Sequence, residues 1–317
     1  MHEKIRELEE LRYENAEEAR RLGEELLREA PDDLYLLGVM GSIYRMLGKV
    51  EDALDILGEG IEIAKQGSDH SLTAKLYQRM TYTLVDFGRP EIAEGYGWKA
   101  LGSYARAGNA DGIGQCLYDI GVTFYFRQDF ATTLELNESA LGFLDENNDR
   151  HRFSALISSA TCAARAGQLE DARIFLNRAR LFSDPIPGSD VRAMEAEATI
   201  LQQEADYLGS GKMRVQVASS FMKASRWVNA GMALLEGLEC LLQGGHMLQS
   251  VSAAQAMLPT LIGHLSTGAN RLSGSLLLEI WQAAMFAEHD FTLEKIRSAK
   301  KELQGLLDPG ATRNEEN

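Results

Sequence analysis

The chain has 317 residues, 45% of them hydrophobic, enough to bury a large continuous core. Its 47 acidic and 32 basic residues give a formal net charge of −15, which argues against a general nucleic-acid binder working through a basic, counterion-releasing face. The three cysteines, Cys116, Cys162 and Cys240, are far apart and odd in number, and they fit a reduced, cytoplasmic setting.

The opening Met-His-Glu-Lys-Ile-Arg carries no apolar signal core, and no apolar run reaches the roughly 18 residues of a membrane span, so neither secretion nor membrane insertion is expected. Residues Glu3–Glu29 read as one charged helix with Glu–Lys and Glu–Arg pairs at helical spacing, a solvated N-terminal cap. Ala19, Gly23 and Leu26 mark its apolar side as a half-unit, ended at Pro31-Asp32-Asp33.

From there one frame of small and large apolar residues recurs four times around a turn-adjacent position: Gly48, Gly88, Gln128 and Gly167, in steps of 40, 40 and 39. The first copy runs Leu37, Met40, Gly41, Tyr44, then Gly48, then Ala53, Leu57 and Gly60. The second places Tyr77, Met80, Thr81 and Leu84 before its turn and Ala93, Gly97 and Ala100 after it. The third and fourth repeat the order from Leu117 to Ala140 and from Leu156 to Ala179. Apolar offsets of three and four on both sides of a break mean two helices joined by a turn. Small residues mid-helix (Gly41, Thr81, Gly121, Ala160, and Ala53, Ala93, Thr133, Ala172) predict close approach of the two. Such pairs are too thin to make a core alone and must stack on neighbours.

Asp184-Pro185-Ile186-Pro187-Gly188-Ser189-Asp190 is the one loop dense in Pro and Gly and marks a joint. Beyond it the frame weakens, with helices expected over 190–208, 213–226, 228–243, 247–266, 270–287 and 291–307. Trp227 and Trp281 are expected to be packed. Met213, Met222, Met232, Met247, Met257 and Met285 make this half a candidate adaptable surface. Glu294, Lys295, Arg297, Lys300, Lys301 and Glu302 give the last helix the charged outer face of a cap. The domain expectation is an N-terminal array over 1–183, a joint over 184–190, divergent helical pairs over 191–307 and a flexible tail over 308–317.

The frame resembles the tetratricopeptide repeat (TPR): large-x-x-large-small-x-x-aromatic, a turn, then small-x-x-x-aromatic-x-x-small. The extra residues at Gly67–Ser71, Gly108–Gly112 and Glu146–Arg150 resemble the longer variants of bacterial peptide-sensing regulators, kinesin light chains and spindle-orientation adaptors. The resemblance implies an all-α, right-handed superhelical solenoid of helix-turn-helix repeats. It also implies a binding groove lined by the first helix of each pair.

Carried over by position, the groove candidates are Arg45, Lys75, Gln78, Arg79, Tyr82, Tyr118, Asp119, Tyr125 and Arg165. Arg with Tyr is a composition enriched at binding hot spots. The three arginines are expected in solvent or groove, because unpaired buried Arg is rare, and Phe126 is expected in the core. The two-carboxylate clamp of chaperone-binding members is absent, since Gly38, Ser42, Gln78 and Tyr82 stand at its positions.

Catalytic chemistry finds no foothold. There is no HExxH, CxxC or GxSxG, and the six histidines never pair at helical spacing, so no catalytic residue, metal site or cofactor is expected. Gly209-Ser210-Gly211-Lys212 lacks the remaining positions of a phosphate loop and reads as a turn between helices. The expected function is a non-enzymatic adaptor that binds a protein or peptide with basic or mixed-charge segments through the concave groove, a regulatory subunit where that partner is an enzyme or transcription factor, without direct nucleic-acid or membrane contact. The alternative is a peptide- or ligand-sensing regulator that switches conformation to control an effector.

Overall fold

The computed structural model describes residues 2–182, 186, 188–265, 271–286 and 288–307, with side chains at 2, 271–274, 288, 306 and 307 excepted. The expected tail at 308–317 lies outside the described residues, as do Asp184, Pro185 and Pro187 of the expected joint. Among the described residues there are sixteen α-helices and no strand. None of these helices is long and apolar enough to cross a membrane.

The helices form consecutive pairs, all but the last joined by short connections. They are α1 (His2–Glu14) with α2 (Ala16–Glu29), α3 (Leu34–Met46) with α4 (Val50–Ala64), α5 (His70–Asp86) with α6 (Pro90–Ala107) and α7 (Ala110–Phe126) with α8 (Phe130–Phe143). Then come α9 (Asp149–Arg165) with α10 (Leu169–Arg180), α11 (Ser189–Gln203) with α12 (Tyr207–Lys223), α13 (Trp227–Gln243) with α14 (Met247–Leu265) and α15 (Arg271–Phe286) with α16 (Leu293–Leu307). The chain separates into two compact units, Met1–His151 and Arg152–Asn317. This division falls near the start of α9, a different place from the Pro/Gly-rich segment between α10 and α11.

Turn chemistry explains the period. Two residues past the ends of α3, α5, α7, α9, α11 and α13 the backbone is left-handed: Gly48 (φ 68°), Gly88 (69°), Gln128 (62°), Gly167 (79°), Ala205 (63°) and Gly245 (77°). In every case the next N–H reaches back to a carbonyl five residues earlier, as in Lys49 to Tyr44 (2.9 Å), Asp206 to Leu201 (2.9 Å) and His246 to Leu241 (2.8 Å). This is the helix-closing Schellman arrangement, and it satisfies carbonyls the helix end would otherwise orphan.

The turns at Ala205 and Gly245 extend the interval past the point where the sequence frame fades, with steps of 38 and 40 from Gly167. Ala205 hid the signal, because an alanine at a left-handed position does not look like a turn residue. One hydrogen bond marks the same register in both units. Thr133 Oγ1 donates to the Gly121 carbonyl (3.2 Å), Ser210 Oγ to that of Ala198 (2.8 Å) and Ser250 Oγ to that of Leu238 (3.2 Å).

Helix starts are capped by short polar side chains: Asn15, Asp33, Asp69, Asn109, Asp129 and Asp206 each accept from a backbone N–H two or three residues on. Two of these caps correct the sequence reading. Asn15 Oδ1 accepts from Glu18 N (3.1 Å) and breaks Glu3–Glu29 into α1 and α2, so the N-terminal half-unit is a full pair with Ile5 and Leu8 buried. Asp206 starts α12, so Gly209–Lys212 is helix and not turn. A Cβ on Gly211 would meet Leu241 Cγ at 2.5 Å and the Gly237 carbonyl at 3.0 Å, so Gly211 serves helix contact.

In the first unit the core runs from Ile5, Leu36, Met40 and Ile43 through Leu57, Leu76 and Leu84 to Cys116. A Cβ on Gly41 would lie 2.4 Å from Leu57 Cγ, which is the close approach the frame predicts. The inserted residues lengthen the first helices from 13 residues in α3 to 17 in α5, α7 and α9. The rest of the third insertion is pinned to Asp111, whose carboxylate accepts from Asn148 Nδ2 (2.9 and 3.0 Å) and Asp145 N (2.9 Å).

In the second unit Leu234, Leu238, Leu258, Leu261, Leu277, Ile280, Ile296 and Leu303 form one buried cluster, with Met222, Met232, Met257, Trp227 and Trp281 packed against it. Met247 and Met285 remain exposed. Trp227 stacks on His264 at 3.6 Å. Two residues of the expected outer face of the last helix are committed elsewhere: Arg297 (2.7 Å) and Lys300 both bind Glu239 of α13. Cys116, Cys162 and Cys240 are buried thiols outside any disulfide.

Candidate functional site

The sequence places the candidates on the first helices α3, α5, α7 and α9. In the first unit α1, α3, α5 and α7 pack one after another, and three polar ties cross between them. Each is described from its helix positions upward.

The first tie joins α1, α3 and α5. Arg79 Nη2 donates to Glu9 Oε1 at 2.9 Å, and Tyr35 donates its hydroxyl to Glu9 Oε2. Lys75 Nζ and Arg79 Cζ both lie 5.9 Å from the Tyr35 ring centre. Gly38 makes room for this arrangement, since a Cβ there would sit 3.2 Å from Arg79 Nη1.

Burial alone would raise the Glu9 carboxyl; the Tyr35 hydroxyl and the Arg79 charge outweigh it and hold the pKa below the ordinary value. Burial also lowers the Arg79 pKa, against the pull of Glu9. The expectation of a solvent- or groove-facing Arg79 is therefore corrected: its side chain is 18% exposed and paired. A buried guanidinium persists here because a carboxylate 70 residues away neutralises it.

The second tie joins α5, α6 and α7. Gln78 Nε2 donates to Asp119 Oδ2 at 2.7 Å and Tyr104 Oη donates to Gln78 Oε1 at 3.2 Å. The Tyr82 hydroxyl lies 3.5 Å from Gln78 Nε2 and faces the same carboxyl. Asp119 Oδ1 has no hydrogen-bond partner, and the residue is 1% exposed. Burial pushes the Asp119 pKa up to about 7, with Tyr82 and Gln78 offsetting only part of the rise. Burial likewise drives the Tyr82, Tyr104 and Cys116 groups upward, so the pocket stays largely uncharged on the acid side of neutrality.

The third tie is the ion pair from Arg45 on α3 to Asp86 on α5. Both the Arg45–Asp86 and Gln78–Asp119 links span 41 residues, about one repeat. Lys75 stays exposed, and Tyr118 and Tyr125 are half-buried. Tyr118 rests against the Leu117, Ala140 and Leu144 cluster. Tyr125 packs edge-on against Phe126 and Phe130, both at 5.9 Å. Phe126, the last residue of α7, is 59% exposed, which corrects its expected place in the core. Arg165 is exposed at the end of α9 in the second unit.

Glu9, Tyr35 and Tyr104 escaped the sequence reading. Glu9 was masked by a helix that read as wholly solvated, and Tyr104 lies on a second helix, outside the expected lining. Among the described residues no group of three or more His, Cys, Asp or Glu side chains is placed to hold a metal ion.

No protein-family model and no curated protein matches the sequence. Solved structures do. The apo form of RapI aligns at 14% identity and TM-score 0.61, over 77% of this chain and 90% of that one. A Rap protein complexed with Competence and Sporulation Factor aligns at 13% identity and TM-score 0.64, over 96% and 87%. A signal-transduction ATPase with a tetratricopeptide repeat sensor from Pyrococcus horikoshii aligns at 16% identity and TM-score 0.67, over 97% of this chain and 49% of that one. The fold is a TPR-like all-α repeat solenoid. At these identities the TPR-like likeness is one of architecture, and function has to be argued from the chain's own surfaces.

Proposed function

We propose that the chain is a non-enzymatic interaction scaffold that holds a peptide segment or partner protein against the first-helix face of its N-terminal unit. The observation that supports this most is the tying of that face. Arg79–Glu9, Arg45–Asp86 and Gln78–Asp119 join four successive first helices before any partner arrives. A surface fixed in advance loses less conformational freedom on binding, so more of each contact appears as affinity.

The division of labour among the candidates follows from burial. Gln78, Tyr82, Asp119 and Arg79 set the face. Lys75, the exposed part of Arg45, Tyr118 and Tyr125 meet the partner, a cation-and-aromatic set suited to carboxylates and flat groups. With a chain charge of −15 around it, the favoured segment has mixed charge: carboxylates at Lys75 and Arg45, basic residues flanking them. Arg165 is a further candidate on the second unit. No cofactor, nucleic acid or membrane enters this reading, and the setting proposed is cytoplasmic.

A second reading, a ligand-sensing regulator that switches conformation to control an effector, draws on the neighbours: one Rap structure holds Competence and Sporulation Factor and the Pyrococcus protein carries a repeat sensor. It requires a ligand that binds two conformations unequally.

Affinity capture from native lysate with the wild-type chain and with a Lys75→Ala/Tyr118→Ala/Tyr125→Ala chain of equal helicity tests the first reading. A partner held by the first and lost by the second is expected. Equal retention defeats the first-helix face as the binding surface. Small-angle scattering with and without the captured segment separates the two readings, since only the sensor changes dimensions.

A further inference from the structure

The α1/α2 pair carries a groove of about 530 Å³ between its two helices. Leu8, Leu11, Leu22 and Leu26 form its floor, and Leu22 is 41% exposed. Its rim is one-sided in charge: Glu7, Glu10 and Glu14 from α1 and Glu25 and Glu29 from α2 stand against Lys4 alone. Among the described residues only α1 and α2 line this groove, and no third helix covers it.

We propose that this groove docks a basic amphipathic α-helix of a partner protein, which lies against the pair as a third helix. A helix suits it because its backbone is already satisfied and its apolar stripe can lie along the leucine floor. Lysines or arginines flanking that stripe meet the five carboxylates. The 13 residues of α1 span about 20 Å, so the occupant presents about four turns. A second copy of this chain would bring the same carboxylates against their like. The chain's own helix with clustered lysines, α16, is committed to Glu239 on α13. The groove is separate from the face proposed above, so either can fail alone.

The test uses the full chain and a fluorescent helical peptide of about 14 residues, Leu along one stripe and Lys on both flanks. Controls are the same peptide with Glu for Lys and with Ser for Leu. Binding of the Leu/Lys peptide alone, weakened by salt, is expected. Leu22→Asp, and separately the exposed triple reversal Glu10→Lys/Glu14→Lys/Glu25→Lys, should each weaken it by on the order of tenfold or more. Lys75→Ala/Tyr118→Ala/Tyr125→Ala should leave it unchanged. Circular dichroism checks folding, and the triple reversal stands if Leu22→Asp unfolds.

Equal binding of the Glu or Ser peptide, or binding that survives the reversal, would overturn the proposal. So would a dimer in sedimentation that Leu22→Asp dissolves, since the groove would then belong to a second copy.

Discussion

Gln78 on α5 and Asp119 on α7 meet at 2.7 Å in the interior of the first-helix layer, 41 residues apart in sequence. The amide supplies one hydrogen bond to a carboxyl whose other oxygen has none. That arrangement is tolerable for a protonated acid and costly for a carboxylate, which leads to a prediction about pH.

Asp119 titrates near 7 in the folded chain and near its ordinary value, 3.8, when unfolded. Between those values the unfolded chain releases the proton while the folded chain keeps it, so stability falls as pH rises through this window and levels off above it. The full effect is on the order of 4 kcal/mol. Asp119→Asn removes this slope. Urea midpoints at about pH 5 and about pH 8 should show the variant gaining on wild type at the higher pH; a constant difference between the two would mean that Asp119 is ionised throughout.

The Arg79–Glu9 pair is partly buried, with side chains 18% and 23% exposed. Removing one partner leaves the other charge without its counterion, so Arg79→Ala and Glu9→Ala should each cost roughly 2–3 kcal/mol. The double variant should cost less than the sum of the two. A double-mutant cycle by chemical denaturation reads the coupling, and strict additivity would show the contact to be incidental.

Left-handed turns give substitutions of opposite sign. Gly48 (φ 68°) becomes strained as alanine, whereas Gln128 (62°) and Ala205 (63°) already carry that strain. Gly48→Ala should destabilise by about 1 kcal/mol, and Gln128→Gly and Ala205→Gly should stabilise by up to about 1 kcal/mol. Thermal midpoints moving the same way for all three would contradict the shared turn geometry.

Helix glycines divide by what they face. A Cβ at Gly211 runs into Leu241 and the Gly237 backbone, whereas one at Gly58 or Gly95 meets nothing within 4 Å. Gly211→Ala should cost roughly 2–3 kcal/mol by forcing α12 from α13. Gly58→Ala and Gly95→Ala should gain up to about 1 kcal/mol from helix propensity. A tolerated Gly211→Ala would return the Gly209–Lys212 segment to the status of a loop.

The 40-residue interval, the paired helices and the close-packed small residues were legible in the sequence because they are local: periodicity sets the buried stripe, and Gly48, Gly88 and Gly167 mark the turns. Where local chemistry departs from type, legibility ended. Ala205 takes a left-handed turn without announcing it, Asn15 breaks a helix whose flanks are good helix formers, and Gly209-Ser210-Gly211 forms a helix because Asp206 caps it and α13 packs on it. What only the tertiary structure decided is which of the candidates are drawn into the interior. Arg79, Gln78 and Asp119 have the chemistry of contact residues, but Glu9, 70 residues away, and the Gln78–Asp119 contact across 41 residues draw them inward. A charge goes where its countercharge lies, and only the stacking of helices brings the two together.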